Sequence, residues 1–104
     1  MGSTKIVEVL PNKEFELLIR DCVIKINPHA SYRVSTAQRT VFSDAELIRI
    51  LKEEKPVLYG EQENGRFAVI FKRNEGFIRL IFQHISKGIE VGTFYIIDQL
   101  PPIK

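Results

Sequence analysis

At 104 residues, with 44% hydrophobic and 27% charged side chains, the chain is long enough for one core, too short for two, and too apolar to be disordered. A formal net charge of +2 is too small to argue for a nucleic-acid partner by itself, so any such case rests on where the positive residues lie. Cys22 is the single cysteine, which excludes an internal disulfide and a cysteine-clustered zinc site and fits a reducing compartment.

Residues 1–104 read as one domain, with residues 1–4 given no structural weight. Residues 5–10 (KIVEVL) form a short apolar stretch stopped at Pro11. Asn12 stands as a candidate cap for a helix over KEFELLIRDC, where Phe15, Leu18, Ile19 and Cys22 recur at i, i+3, i+4 and i+7. FELLI also fits a strand, but the helical stripe is preferred. The segment Val23–Ile26 predicts a strand that ends at Asn27-Pro28, because a residue before proline avoids helical dihedrals. Residues 29–38, opened by Pro28, read as a helix weakened by Ser, Thr and Val and dependent on tertiary contacts.

Ser43-Asp44-Ala45-Glu46 is a capping box in which serine and glutamate each satisfy a free amide. It opens a helix to about Glu54, with Leu47, Ile48 and Leu51 on one side, Lys52 and Lys55 near the negative dipole end, and Pro56 closing it. Residues 57–59 are a further strand, and Asn64-Gly65 is a two-residue hairpin signal. Three antiparallel strands follow, RFAVIFKR, FIRLIFQHI and IEVGTFYII, separated by RNEG and SKG. Helices before a run of strands predict an α+β domain, with N-terminal helices packed on one face of a C-terminal antiparallel sheet of about four strands. Residues 98–104 read as an irregular tail. No apolar run approaches the ~18 residues that span a membrane, and no charged-then-apolar leader is present, so the default expectation is a cytoplasmic protein with no membrane partner.

The pairing of these strands follows from their turns. With Asn74 and Glu75 central, Lys72 faces Phe77, Ile70 faces Arg79, Ala68 faces Ile81 and Arg66 faces Gln83. Pairing Ile85 with Ile89 sets Tyr95 opposite Arg79, Thr93 opposite Ile81 and Glu90 opposite His84. The two-residue side-chain period then puts Phe67, Val69, Phe71, Ile78, Leu80, Phe82, Phe94 and Ile96 on a core face. The other face is mixed: Arg66, Lys72, Arg79, Gln83, Thr93 and Tyr95 among Ala68, Ile70, Ile81 and Val91.

A short strand leading into His29-Ala30 and Arg33, a Ser-x-x-Glu-capped helix carrying LIRILKEEKP, a hairpin, the Gly65-Arg66-Phe67 strand start and the terminal Thr93-Phe94-Tyr95 together resemble a known pattern. It is that of a small prokaryotic domain family with a His-Ala-x-x-Arg motif, grouped with RelE- and BrnT-like toxins, the compact RNases of toxin–antitoxin pairs. The resemblance spans roughly residues 23–97. It implies a RelE-like fold, an RNA substrate, an antitoxin or other protein partner, and a candidate catalytic site including His29, Arg33, Arg66 and Arg79.

Cleaving RNA without a metal requires the 2′-hydroxyl to be deprotonated, the phosphorane charge stabilised and the leaving oxygen protonated. Arginine suits the second task, since its planar guanidinium binds two phosphate oxygens and stays charged. Arg66 and Arg79 share the mixed face with Tyr95, which can stack on a base or exchange a proton. Histidine is the residue type whose unperturbed pKa suits acid–base work near neutrality, and of His29 and His84 the first is favoured because His84 falls on the core side. Each residue also has a plain structural reading. Arg66 can pair with Glu63, Arg79 with Tyr95 and His84 with Glu90, while His29 can start a helix and Lys72-Arg73 can be solvated charge. No metal-ligand spacing and no cofactor motif is present, so no cofactor is expected. Three functions compete: a metal-independent toxin-type endoribonuclease, a non-catalytic module in which Ile70, Ile81 and Val91 pack on a second copy (a homodimer) or another protein, and a plain RNA-binding domain.

Overall fold

Residues 67–97 carry most of the large apolar side chains of the second half in three runs separated by turn residues, and a strand sends successive residues of each run to opposite faces. The computed structural model, which describes residues 5–28 and 42–101, builds these residues into the middle of a six-stranded sheet. Among the described residues the elements run β1 (Ile6–Val9), α1 (Asn12–Arg20), β2 (Val23–Ile26), α2 (Asp44–Glu53), β3 (Leu58–Gln62), β4 (Phe67–Arg73), β5 (Gly76–Ile85) and β6 (Gly88–Ile97). The strand order is β1-β3-β4-β5-β6-β2, antiparallel throughout except for the parallel β2–β6 pair.

The class is therefore α+β, as the order of elements predicts, but the sheet has six strands rather than about four and is not confined to the C-terminal half. The two extra strands are β1 and β2, the edges of the sheet. Each is four residues long and has its partner far away in the chain, so pairing, not local sequence, completes the sheet.

Both helices cover one face. Phe15 and Ile19 of α1 and Leu47, Ile50 and Leu51 of α2 join Val69, Phe71, Ile78, Leu80, Phe82 and Phe94 in one apolar cluster. The Phe15 ring lies 5.3 Å from Tyr59, 6.0 Å from Phe82 and 6.3 Å from Phe71, centroid to centroid. Ile50, not Ile48, completes the buried stripe of α2, because positions 47, 50 and 51 follow the i, i+3, i+4 spacing that faces one side.

Both helix starts differ from expectation in detail. Pro11 caps α1 without a side-chain bond, and Asn12 is its first residue. The Asn12 Nδ2 donates to the Pro56 carbonyl at 3.1 Å, tying α1 to the segment that leaves α2. At α2 the Ser43 Oγ accepts from the Glu46 amide at 3.3 Å, one half of the capping box. The Glu46 carboxylate instead takes two bonds from Arg49, at 2.9 and 2.6 Å, a charge-assisted pair stronger than a neutral contact to backbone.

The β4–β5 register is the expected one, with Lys72 opposite Phe77, Ile70 opposite Arg79 and Ala68 opposite Ile81. In β5–β6, Arg79 faces Tyr95 and Ile81 faces Thr93, also as expected. Beyond Ile81 the register shifts. Phe82 pairs with Val91, Gln83 with Glu90, His84 with Ile89 and Ile85 with Gly88. The SKG turn closes one residue tighter than the expected Ile85–Ile89 pairing, and the surplus residue is Gly92, left as a bulge. The slip carries Val91 into the helix-side core and Glu90 to the opposite face. It also places Gly88 against β2, where a Cβ would run into the Val23 carbonyl.

The β3–β4 hairpin is likewise looser than a two-residue turn. Gln62 N–H donates to the Arg66 carbonyl at 2.7 Å and Gly65 N–H to the Gln62 carbonyl at 3.0 Å, enclosing the three residues 63–65. Gly65 has φ of 87° whereas Asn64 is not in the left-handed region, so this is a type I turn with a glycine bulge. Arg66 consequently stands across from Gln62 and not from Glu63.

Cys22 is buried just past α1, and burial pushes its thiol up, the behaviour of a small core residue. Among the described residues no helix is long and apolar enough to cross a membrane.

Candidate functional site

Strand pairing fixes which side chains share the face opposite the helices: Ala68 and Ile70 from β4, Arg79 and Ile81 from β5, Thr93 and Tyr95 from β6. Ala68 and Ile70 combine with Ile6 of β1 and Leu58 of β3 in a second, smaller apolar cluster, with Phe77 and Ile97 packed against it. Arg79 and Gln62 are buried on this same face, 4% and 1% exposed. The Arg79 Nη2 donates to the Gln62 Oε1 at 2.7 Å. Burial pushes the Arg79 guanidinium below its ordinary value, with the Tyr95 phenol opposing that effect. Gln62 Nε2 donates in turn to Asn64 Oδ1 at 3.2 Å, which also accepts from the Arg66 amide at 2.9 Å.

Where β6 bulges at Gly92, a cleft of about 260 Å³ opens, lined by Asn27, Arg66, Ile81, Phe82, Gln83, Glu90 and Gly92. The Glu90 carboxylate is held at both oxygens. Its Oε1 accepts from Gln83 Nε2 at 3.2 Å and its Oε2 from Asn27 Nδ2 at 3.4 Å. Asn27 is itself anchored where β2 ends, its amide donating to the Val91 carbonyl at 2.9 Å. Arg66 is exposed and enters the cleft on the same face as Glu90, from the hairpin loop just before β4. The cleft thus brings together a cation able to grip a phosphate, a carboxylate able to take a proton, and two amides able to bind a base or sugar.

Of the residues singled out in the sequence, Arg66, Arg79 and Tyr95 share a face, and Arg79 stands opposite Tyr95. They do not form one hollow: neither Arg79 nor Tyr95 is among the described residues lining the cleft. His29 and Arg33, and the helix expected over residues 29–38, lie outside the described residues. His84 is exposed, has Ile89 rather than Glu90 opposite it, and sets its ring edge-on to Phe67 at 4.9 Å. Arg73 is not simply solvated, since its Nη1 pairs with the Glu54 carboxylate at 2.8 Å, while the Lys72 ammonium sits 4.8 Å from the Phe77 ring centre. The apolar residues proposed as a dimer patch are already covered within the chain: Ile70 and Ile81 are buried, and Val91 points to the core beneath the helices.

Glu90, Asn27, Gln62 and Gly92 are the site residues that sequence reasoning passed over. One signal pointed to them. An isolated glycine inside a strand pattern marks a bulge, and a bulge at Gly92 turns Glu90 from the His84 side to the Arg66 side. Compared with known protein families, curated proteins and solved structures, the chain matches none. Among the described residues no group of three or more His, Cys, Asp or Glu side chains is placed to hold a metal ion.

Proposed function

We propose that the chain binds single-stranded RNA in the Gly92 cleft and cleaves it as a metal-independent endoribonuclease of the toxin type. The observation that carries this reading is the exposed Arg66 guanidinium lining the same cleft as the doubly held Glu90 carboxylate. In the proposed reaction Glu90 takes the proton of a 2′-hydroxyl. The resulting alkoxide attacks the adjacent phosphorus, and Arg66 binds the non-bridging oxygens as their charge grows. The 5′-oxygen leaves with a proton, giving a 2′,3′-cyclic phosphate and a 5′-hydroxyl end. His29, which lies outside the described residues, is the sequence's candidate for donating that proton. The RelE-like relationship, the cytoplasmic setting and the antitoxin partner belong to the same proposal.

The test is incubation of the purified protein with unstructured RNA in the presence of EDTA, followed by analysis of the ends produced. Fragments bearing 2′,3′-cyclic phosphate are expected from the wild type. Glu90→Gln abolishes them, and Arg66→Ala weakens RNA binding and lowers its salt slope by about one phosphate contact. Gly92→Val, whose Cβ meets open space, is expected to fold while its side chain narrows the cleft and blocks the substrate. RNA left intact by the wild type overturns the catalytic reading. Salt-dependent RNA binding without fragments makes the chain a binding module instead.

A further inference from the structure

We infer that Arg79 is a positioning residue: through Gln62 and Asn64 it fixes the hairpin loop that presents Arg66 to the cleft. Its functional half rests on the ribonuclease reading, but its structural half does not.

A guanidinium among Ala68, Ile70 and Ile81 is a costly choice for a core, where an aliphatic residue fills the same volume without desolvating a charge. What the charge adds is direction. Guanidinium groups only donate, so Arg79 requires the Gln62 amide to turn its oxygen inward, and the Arg79–Gln62 bond of 2.7 Å has that polarity. The Gln62 nitrogen is thereby aimed outward and must find an acceptor. It meets Asn64 Oδ1 at 3.2 Å, which in turn obliges the Asn64 amide to present oxygen, not nitrogen, to the loop. That same oxygen accepts the Arg66 N–H at 2.9 Å and so sets the backbone from which the Arg66 side chain departs. A donor-only group at the bottom of the sheet thus fixes two side-chain amides in sequence. With a neutral residue at position 79, the Gln62 amide is free to turn over, and the Asn64 oxygen is no longer held toward the Arg66 amide from the Gln62 side.

The relay is tested by Gln62→Glu, which still accepts from Arg79 but has no N–H for Asn64. The expected result is a fold at least as stable as the wild type, because an opposite charge now meets Arg79. Hydrogen exchange at the Arg66 amide becomes faster by up to about tenfold while the amides of β5 keep their protection. Arg79→Met gives the same faster exchange, and Arg79→Lys, a donor-only side chain, restores slow exchange. RNA cleavage by Gln62→Glu loses on KM more than on kcat, since Arg66 is displaced and not removed. Unchanged exchange at Arg66 in both Gln62→Glu and Arg79→Met overturns the relay. The exchange measurement uses no RNA, so a wild type that leaves RNA intact overturns the ribonuclease reading alone.

Discussion

Beneath the helices, Phe15, Phe71, Phe82 and Phe94 fill the space with rings and aliphatic neighbours, whereas on the opposite face a guanidinium and an amide are buried beside a smaller, mainly aliphatic cluster. The first face is held by shape. Any set of apolar side chains of the right volume can satisfy most of it, and no atom there dictates an orientation to the next. The second face combines that cluster with a polar chain, along which each donor needs an acceptor and each amide has a preferred orientation. The contrast places stability with one layer and the geometry of the cleft with the other.

The largest effect expected from breaking this comparison lies on the helix side. Phe15→Ala removes a fully buried ring that touches three others and costs about 3–5 kcal/mol, measured by urea unfolding. A loss below about 1 kcal/mol would show that the helices contribute little to the fold. On the opposite face, a double-mutant cycle with Arg79→Met and Gln62→Met reports the coupling between the two groups, expected at about 1.5–3 kcal/mol for a buried bond to a charged donor. Additive single effects would erase the distinction between the faces.

The join between the cleft and the edge of the sheet is sharpened by Gly88→Ala. Its Cβ collides with the Val23 carbonyl and forces β2 away from β6, at a cost of about 1–3 kcal/mol in thermal or urea unfolding. Asn27 moves with β2, so under the proposed ribonuclease function cleavage is expected to fall further than stability alone explains.

The smallest effect concerns neither face but the rim. Glu54 is held below the usual carboxylate range, first by the hydrogen bond from Arg73 and then by that from Arg49. A depressed folded-state value means that this contribution is fully present above the ordinary carboxylate value and fades as pH falls through the lowered one. The pair is partly solvated, so the contribution is at most about 1 kcal/mol. Glu54→Gln removes that part of the acid dependence, and pH-resolved thermal unfolding checks it. An unchanged acid limb would assign the dependence to other carboxylates.

Local rules account for much of what was legible in advance. The alternating pattern at 67–82 defined both faces, the turn residues Asn74 and Glu75 fixed the β4–β5 register, and Ser43 marked the start of α2. The cleft was less legible because it depends on one displaced residue. Arg66 falls on the expected face but Glu90 does not, since every position of β6 between the SKG turn and the bulge inverts when a single residue is left unpaired.

By itself the sequence determined the α+β class, the three-stranded ribbon and the facing of Arg79 toward Tyr95, because these follow from periods of two and 3.6 residues and from turns a few residues long. The tertiary structure alone decided that two short N-terminal strands complete the sheet, that Arg79 is buried while Arg66 is exposed, and that Gly92 opens a cleft beside Glu90. Those outcomes turn on which distant segments lie against each other. A strand's side-chain parity is a local property, but its depth, its partner and the place where its register slips belong to the assembled sheet.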